Sequence, residues 1–439
     1  MKPFLTTLLF LAGLYPTLSA QGPSDTIKLV SLNETISKAI RHNPAQAVYQ
    51  LQTTRSSLDY KATRGALYPH ATGEFLGTDN LHLAVTPVPG ELVNRPGTTY
   101  YVQFGKRYVY NPGVTLSQSV FDWQSILQTR IAKSNITLNE LQQAQYEQSL
   151  KAQVAQLYFA ALTAKASLEI ARHDKLLADS VVALAKQRLE EGATDALSLN
   201  QALINDNNIA QNQTQSLQLY DQSIENLKSL LGEKPGSTLQ ILETLNLESP
   251  EETGTIMPGT DKLIAVYQQQ AFIAGLQARA QRAVSYPRLT VSLYVGEQQF
   301  RNSFGVSFAK YAWSGYRYLG VDLTVPIFSG LTNSNRYKSA LTQQHIAQVQ
   351  LDNARQQSTT GDSIVLKNSL HYAGLAKTAY LNFKLYEKNL VLYRQKFEEG
   401  VTGMDVYLRA FEDYLGSENV FLNNLSQLLS TKASILSRQ

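Results

Sequence analysis

Apolar residues recur along most of this chain at alternating steps of four and three. Leu150, Val154, Leu157, Ala161, Ala164, Leu168 and Ala171 form one such series, which Ala178, Val182, Ala185 and Leu189 resume after a break at Lys175. A second series runs through Ala379, Phe383, Tyr386, Leu390, Tyr393 and Phe397, and a third through Phe411, Leu415, Leu422, Leu425 and Leu429. The mean step predicts coiled-coil helices. No proline interrupts the chain from just after Phe121 to Gly192, or from just after Phe328 to Gly400. Each stretch can therefore be one helix of about 70 residues, on the order of 100 Å long. Such a helix cannot bury its seam alone. Both stretches end in Glu-Glu-Gly-x-Thr, at Glu190, Glu191, Gly192 and Thr194 and again at Glu398, Glu399, Gly400 and Thr402. Glycine can take the left-handed conformation and threonine can cap a following helix, so each motif predicts a tight reversal that returns an antiparallel partner.

Ahead of each long helix the period changes to two. Leu289, Val291, Leu293 and Val295 alternate with Thr290, Ser292, Tyr294 and Gly296, and Leu319, Val321, Leu323, Val325 and Ile327 alternate with Gly320, Asp322 and Thr324. In the first half Val102, Phe104, Tyr108, Tyr110, Val114, Leu116 and Val120 fall on one face, broken by Lys106 and Gln118. A weaker strand follows Pro69, with Ala71, Gly73, Phe75 and Gly77 opposite Thr72, Glu74 and Thr78. Strands with one apolar and one polar face suit a barrel wall between lipid and water, and a soluble sandwich with one buried face is the competing reading. Dense tyrosine and tryptophan in these stretches favours the membrane, where such rings gather at the interfaces. On the barrel reading Asp322 and Thr324 line the lumen.

The two patterns are duplicated. Gly113-Val114-Thr115-Leu116 with Val120-Phe121 returns 207 positions later as Gly320-Val321-Asp322-Leu323 with Ile327-Phe328. The helix-end motif returns at an offset of 208. Tyr68-Pro69 returns as Tyr286-Pro287 at an offset of 218, which places about ten extra residues in the first half between Pro69 and Gly113. The expected organisation is a signal peptide over residues 1–20, one repeat over 21–250 and a second over 251–439. The first of these rests on Lys2, the apolar run Phe4 to Leu14 and the small residues Ser19 and Ala20 before Gln21, the order of an export signal cleaved after Ala20.

Composition narrows the class. Only 17% of the 439 residues are charged and the net charge is +4, with lysines and arginines scattered among acids, so nothing resembles a nucleic-acid surface. There is no cysteine, which removes disulfides, thiolate metal sites and cysteine nucleophiles together. The six histidines are dispersed, no phosphate loop or nucleophile elbow occurs, and neither catalysis, a metal nor a cofactor is expected. After the leader no apolar run is long enough for a membrane helix, so any bilayer crossing must use strands. Four strands cannot close a barrel, because open edges are not tolerated in hydrocarbon and about eight strands is the minimum. At least two copies are required, and three are expected.

With the residues in this order the chain resembles the TolC-like outer-membrane efflux proteins. The resemblance covers Ser31-Leu32-Asn33-Glu34-Thr35-Ile36 running to Arg41-His42-Asn43-Pro44-Ala45, the two Tyr-Pro pairs, Val325-Pro326-Ile327-Phe328-Ser329-Gly330 and the two Arg/Lys-x-Glu-Glu-Gly turns. It implies a mostly α-helical fold with a membrane β-barrel portion. Each repeat supplies a β-hairpin and a long helical hairpin, and a homotrimer forms a 12-stranded barrel in the outer membrane of a Gram-negative-type cell above an α-helical periplasmic tunnel. It also implies an exit duct without chemistry of its own, fed by a periplasmic adaptor (a membrane fusion protein) and an inner-membrane transporter of RND or ABC type. Drug efflux, metal efflux and protein secretion are all compatible.

The resemblance makes the turns at Glu190 to Thr194 and Glu398 to Thr402 the places where an adaptor hairpin would pack. Members of the family carry aspartates just after the second turn, forming an acidic constriction. Here Asp405 is displaced by one residue and Arg409 follows a turn later, while the first turn offers Asp195 and Ser198. Either Asp405 makes a shifted ring, or it pairs with Arg409 at the i, i+4 spacing. A periplasmic coiled-coil scaffold or adaptor without a pore is the alternative function.

Overall fold

The computed structural model describes residues 26–234, 236–247 and 261–438. The expected signal peptide and the expected boundary between repeats lie outside them. In chain order the elements are β1 (Thr26–Leu29), α1 (Leu32–His42), α2 (Pro44–Gly65), β2 (His70–Asp79), β3 (Val85–Pro89), β4 (Thr99–Gln103), β5 (Tyr108–Phe121), α3 (Trp123–Glu190) and α4 (Ala196–Leu231). There follow β6 (Thr238–Ile241), α5 (Lys262–Ala283), β7 (Arg288–Arg301), β8 (Ser314–Thr324), α6 (Thr332–Glu398) and α7 (Met404–Leu436). The series α2, β2, β5, α3, α4 thus recurs as α5, β7, β8, α6, α7. The proline-free stretches are the single helices α3 and α6, of 68 and 67 residues. Among the described residues no helix is long and apolar enough to cross a membrane.

The chain divides into two compact units, each drawing on both halves of the sequence. One comprises Pro44–Ser149, Thr255–Lys367 and the last two residues. Its sheet is antiparallel in the order β2-β5-β7-β8, leaving β2 and β8 as open edges. Beneath the strands Leu127 and Ile131 of α3 pack against Ile273, Leu276, Ala280 and Ala283 of α5. Arg438 closes the helical end with Asp261 at 2.7 Å and Asp362 at 3.3 Å.

Two strand expectations need correction here: β8 ends at Thr324, so Val325 and Ile327 lie beyond the strand. The run from Val102 to Val120 is two elements, because the backbone leaves the sheet at Phe104 to Arg107. β4, with Val102, pairs only with β3 as a separate hairpin, and this hairpin absorbs the extra residues of the first half. At the other end of β5 the register slips between Ser119 and Phe121. The bulge turns Phe121, in place of Val120, into the row of Leu289 and Leu323.

The second unit comprises residues up to Asn43, Leu150–Gly254 and Asn368–Ser437. A short parallel ladder of β1 on β6 buries Leu29 and Ile241, and the end of α1 is tied to α4 by Asn43 Nδ2 donating to the Leu230 carbonyl at 2.9 Å. On α3 burial is wider than one seam: Ala155, Tyr158, Phe159, Leu162 and Ala166 are buried besides the expected series, in which Leu157 and Leu189 are only half-buried. On α6 Ala376, Ala379, Phe383, Leu390 and Phe397 are buried, while of the expected series Tyr393 is half-buried and Tyr386 exposed. On α7 the buried series is Tyr407, Phe411, Tyr414, Glu418, Phe421, Leu425 and Leu428, the four-three step of a coiled coil with an acid in the middle.

Candidate functional site

In the first unit the register sorts the sheet into two chemically distinct faces. One carries the cross-strand rows Ala71, Leu116, Leu293, Leu319 and then Val291 with Val321 and Leu289 with Leu323. Leu319, Val321 and Leu323 stand 70%, 67% and 64% exposed, an apolar stripe without a covering layer. The opposite face carries Thr72, Thr115, Tyr294 and Tyr318 in one row, His70, Ser117, Ser292 and Gly320 in the next, then Ser119, Thr290 and Asp322. Asp322 and Thr324 share this polar face, and the Thr324 hydroxyl donates to Asp322 Oδ1 at 2.7 Å. Tyr294 lies flat across it, stacked on Tyr318 at 5.4 Å, over the Cα atoms of Gly113 and Gly296. A Cβ on Gly113 would sit 2.3 Å from the Tyr294 hydroxyl oxygen, so glycine is what lets the ring lie down.

In the second unit the two expected reversals have the same geometry. Gly192 has φ 70° and Gly400 has φ 74°, both left-handed. Gly192 and Ala193 donate to the carbonyls of Leu189 and Arg188 at 3.1 and 2.8 Å; Gly400 and Val401 donate to Phe397 and Lys396 at 3.1 and 2.8 Å. That doubled pattern is a Schellman stop. The capping expectation is overturned. Thr194 and Thr402 lie one residue too early, because the next helices begin at Ala196 and Met404 and the N-caps are Asp195 and Gly403. Asp195 accepts from the Ser198 backbone N–H at 2.9 Å, and this bond holds its carboxyl below the usual carboxylate range. Thus two constriction candidates, Asp195 and Ser198, meet as cap and capped residue. Asp405 and Arg409 are both exposed on α7, and no ion pair joins them among the described residues. Glu190, Glu191, Glu398 and Glu399 are exposed as well; Glu191 accepts from Gln187 at 2.8 Å and Glu398 pairs with Arg394 at 2.9 Å.

Sequence reasoning missed what brings the two turns together. Arg188 reaches from the end of α3 to donate to the Glu398 carbonyl at 3.1 Å, with its guanidinium 5.7 Å over the Phe397 ring. Phe397 in turn lies parallel to Tyr407 at 5.8 Å. It also missed a buried acid pair. Asp174 is 2% exposed and Glu418 is 7% exposed, and the Tyr414 hydroxyl donates to Asp174 Oδ1 at 3.0 Å. Burial, and then the hydrogen bond and charge of Asp174, push the Glu418 carboxyl up to about 9. Burial raises Asp174 as well, against the hydrogen bonds from Glu418 and Tyr414 that lower it. Two desolvated carboxyls in contact cannot both ionise at neutral pH, so Glu418 holds the shared proton and donates it to Asp174. His173 and Glu387 are the other titratable neighbours of Asp174. A cavity of about 350 Å³ lined by Thr163, Ser167, Asn212, Ser216, Glu418 and Asn419 adjoins the pair. The available signal was the break at Lys175: Asp174 occupies the seam position there, three after Ala171 and four before Ala178.

These elements define a mostly helical chain whose four-stranded amphipathic sheet, uncovered on its apolar face, is continuous in sequence with long helical hairpins. Residues 35–233 match the family model described as outer membrane efflux protein. Over 313 residues the chain is 22% identical to outer membrane protein TolC of Vibrio cholerae, covering 69% of this chain and 68% of that protein. Against protein CyaE of Bordetella pertussis identity is 24% over 428 residues, 94% of this chain and 85% of that one. The crystal structure of the Campylobacter jejuni CmeC outer membrane channel aligns with a TM-score of 0.75 at 15% identity, over 99% of this chain and 93% of that chain. In sequence over residues 35–233 and in fold over nearly its whole length, the chain is similar to the outer membrane efflux proteins, which include TolC of Vibrio cholerae.

Proposed function

We propose that this chain is the outer-membrane exit duct of a tripartite efflux or type I secretion system. Three copies join β8 of one to β2 of the next and close a 12-stranded barrel, and their helical hairpins form the periplasmic tunnel. The observation that carries this is the four-stranded sheet itself, polar on one face, apolar and uncovered on the other, and open at both edges. Unpaired edges are untenable in hydrocarbon, so closure by further copies is the physical requirement. Asp322 and Thr324 then line a water-filled lumen, and the apolar rows face outer-membrane lipid.

The paired turns, Glu190 to Thr194 and Glu398 to Thr402, present exposed carboxylates and a fixed backbone shape to the adaptor, behind which stands the inner-membrane transporter. Asp405 supplies any acidic ring at the constriction, while Asp195 and Ser198 are committed to capping. The duct works passively, without a cofactor, a metal or catalysis by this chain. Native mass spectrometry of the detergent-solubilised protein tests the assembly: a homotrimer is expected, and a monodisperse monomer that keeps its strand and helix signals would overturn it. A periplasmic scaffold, the competing function, would wash off membranes in alkali or urea.

A further inference from the structure

We infer that the connection between β7 and β8 is an aromatic cuff folded outward onto the lipid side of the barrel, seated among the headgroups of the distal leaflet. The inference rests on the proposed assignment of the apolar sheet face to lipid. Residues 302–313 are held to the sheet by a dense set of bonds. Gln299, fully buried near the end of β7, uses both ends of its amide on one residue: Nε2 donates to the Ser307 carbonyl and Oε1 accepts from the Ser307 N–H, each at 2.8 Å. The Trp313 indole N–H donates to the same carbonyl at 2.8 Å. The Gly305 N–H donates to the Tyr110 hydroxyl oxygen at 3.0 Å, Arg301 donates to the Gly305 carbonyl at 2.6 Å, and the Phe304 ring meets Tyr108 edge-on at 5.7 Å.

The register says which face these anchors occupy. Tyr108 pairs with Arg301 and Tyr110 with Gln299, in the alternation that continues through Val114 with Val295 and Leu116 with Leu293. The connection therefore lies on the apolar face, opposite Tyr294 and Asp322. Although its backbone is fixed, Phe304, Phe308 and Tyr311 are 82%, 95% and 94% exposed. Rigidly presented aromatic rings are a surface that has an apolar or interfacial partner.

Continuity and depth select lipid as that partner. Directly inward along the same face come the exposed Val295, Leu293 and Leu319, so the cuff extends an apolar wall already assigned to lipid. β8 has 11 residues, which is about the length that crosses the hydrocarbon when tilted. The connection begins where that span ends, at the end of the sheet away from α6. This is the depth at which aromatic rings with polar handles settle. Exposed Lys310, between Phe308 and Tyr311, and Arg317, on the apolar face at the start of β8, bring cations to the level of anionic phosphates, with Glu297 the acid nearby.

The cysteine-free chain allows a direct test. Single variants Phe308→Cys and Tyr311→Cys, spin-labelled in the whole protein in phospholipid bilayers, are compared with Leu319→Cys, at the middle of β8 on the apolar face, and Asp322→Cys on the polar face. Collisions with oxygen, which partitions into lipid, are measured against a water-soluble nickel chelate. The cuff predicts oxygen-to-nickel ratios at 308 and 311 several-fold above that at 322 and below that at 319. Ratios equal to that at 322, or labels shielded from both probes as in a contact with another copy, would overturn it. Failure of 322 and 319 to separate would instead refute the assignment of the sheet faces.

Discussion

Glu418→Gln isolates the proton held between α3 and α7. Glu418 rises from the ordinary 4.5 to about 9 in the folded chain, so across that window the folded state binds one more proton than the unfolded state. The sign follows from linkage: stability is full below about 4.5 and is lost as pH climbs toward 9, at about 1.4 kcal/mol per unit. Between about pH 5.5 and pH 8 the loss is on the order of 3 kcal/mol per protomer for this group. Glutamine has nearly the same shape, donates to Asp174 as the protonated acid does, and does not titrate. The variant should be at least as stable as the parent at pH 8 and should lose most of the downward slope. Thermal unfolding followed by helical ellipticity, at one scan rate and in one detergent over that range, reads the difference. Parallel curves for parent and variant, or a parent that gains stability with rising pH, would refute a proton shared in the native bundle.

The two sheet faces should respond oppositely to charge: Leu319→Arg, at the middle of β8, should impair barrel assembly by roughly 2–4 kcal/mol, whereas Asp322→Arg should assemble normally, as heat-stable oligomer on gels would report. Equal damage from both would mean the faces are misassigned. Gly113→Val should displace Tyr294 from the polar face, visible as lost protection of that ring from aqueous iodination, with trimer yield lowered; an unchanged ring would discount the close contact. Gly400→Val strains a left-handed position by about 1–2 kcal/mol, small against the burial of α6, so it should leave abundance and assembly intact while reducing export in cells. If that variant abolishes assembly, or exports normally, the turn is only a reversal.

Much of this architecture was written locally. Period determines element type, because an amphipathic stripe forms a helix at a step of 3.5 and a strand at a step of two whatever it later packs on. That is why α3, α6, β7 and β8 were legible, and why the two glycine stops could be placed to the residue. The duplication was legible too, since matched turns and matched strand starts need no knowledge of their neighbours in space.

Other features depended on the tertiary structure, because they join residues that periodicity treats as unrelated. The run from Val102 to Val120 alternates throughout, and only the pairing of β4 with β3 removed its first part from the sheet. Thr194 and Thr402 have the chemistry of caps, but the depth of each Schellman stop fixed where the next helix could begin. Asp174 reads as a lapse in one heptad and Glu418 as a polar residue in another; packing α3 against α7 made them a proton-sharing pair. In the same way Gln299 is an unremarked polar residue at a strand end until the fold lays Ser307 against it, and with it the ring of aromatics that face outward.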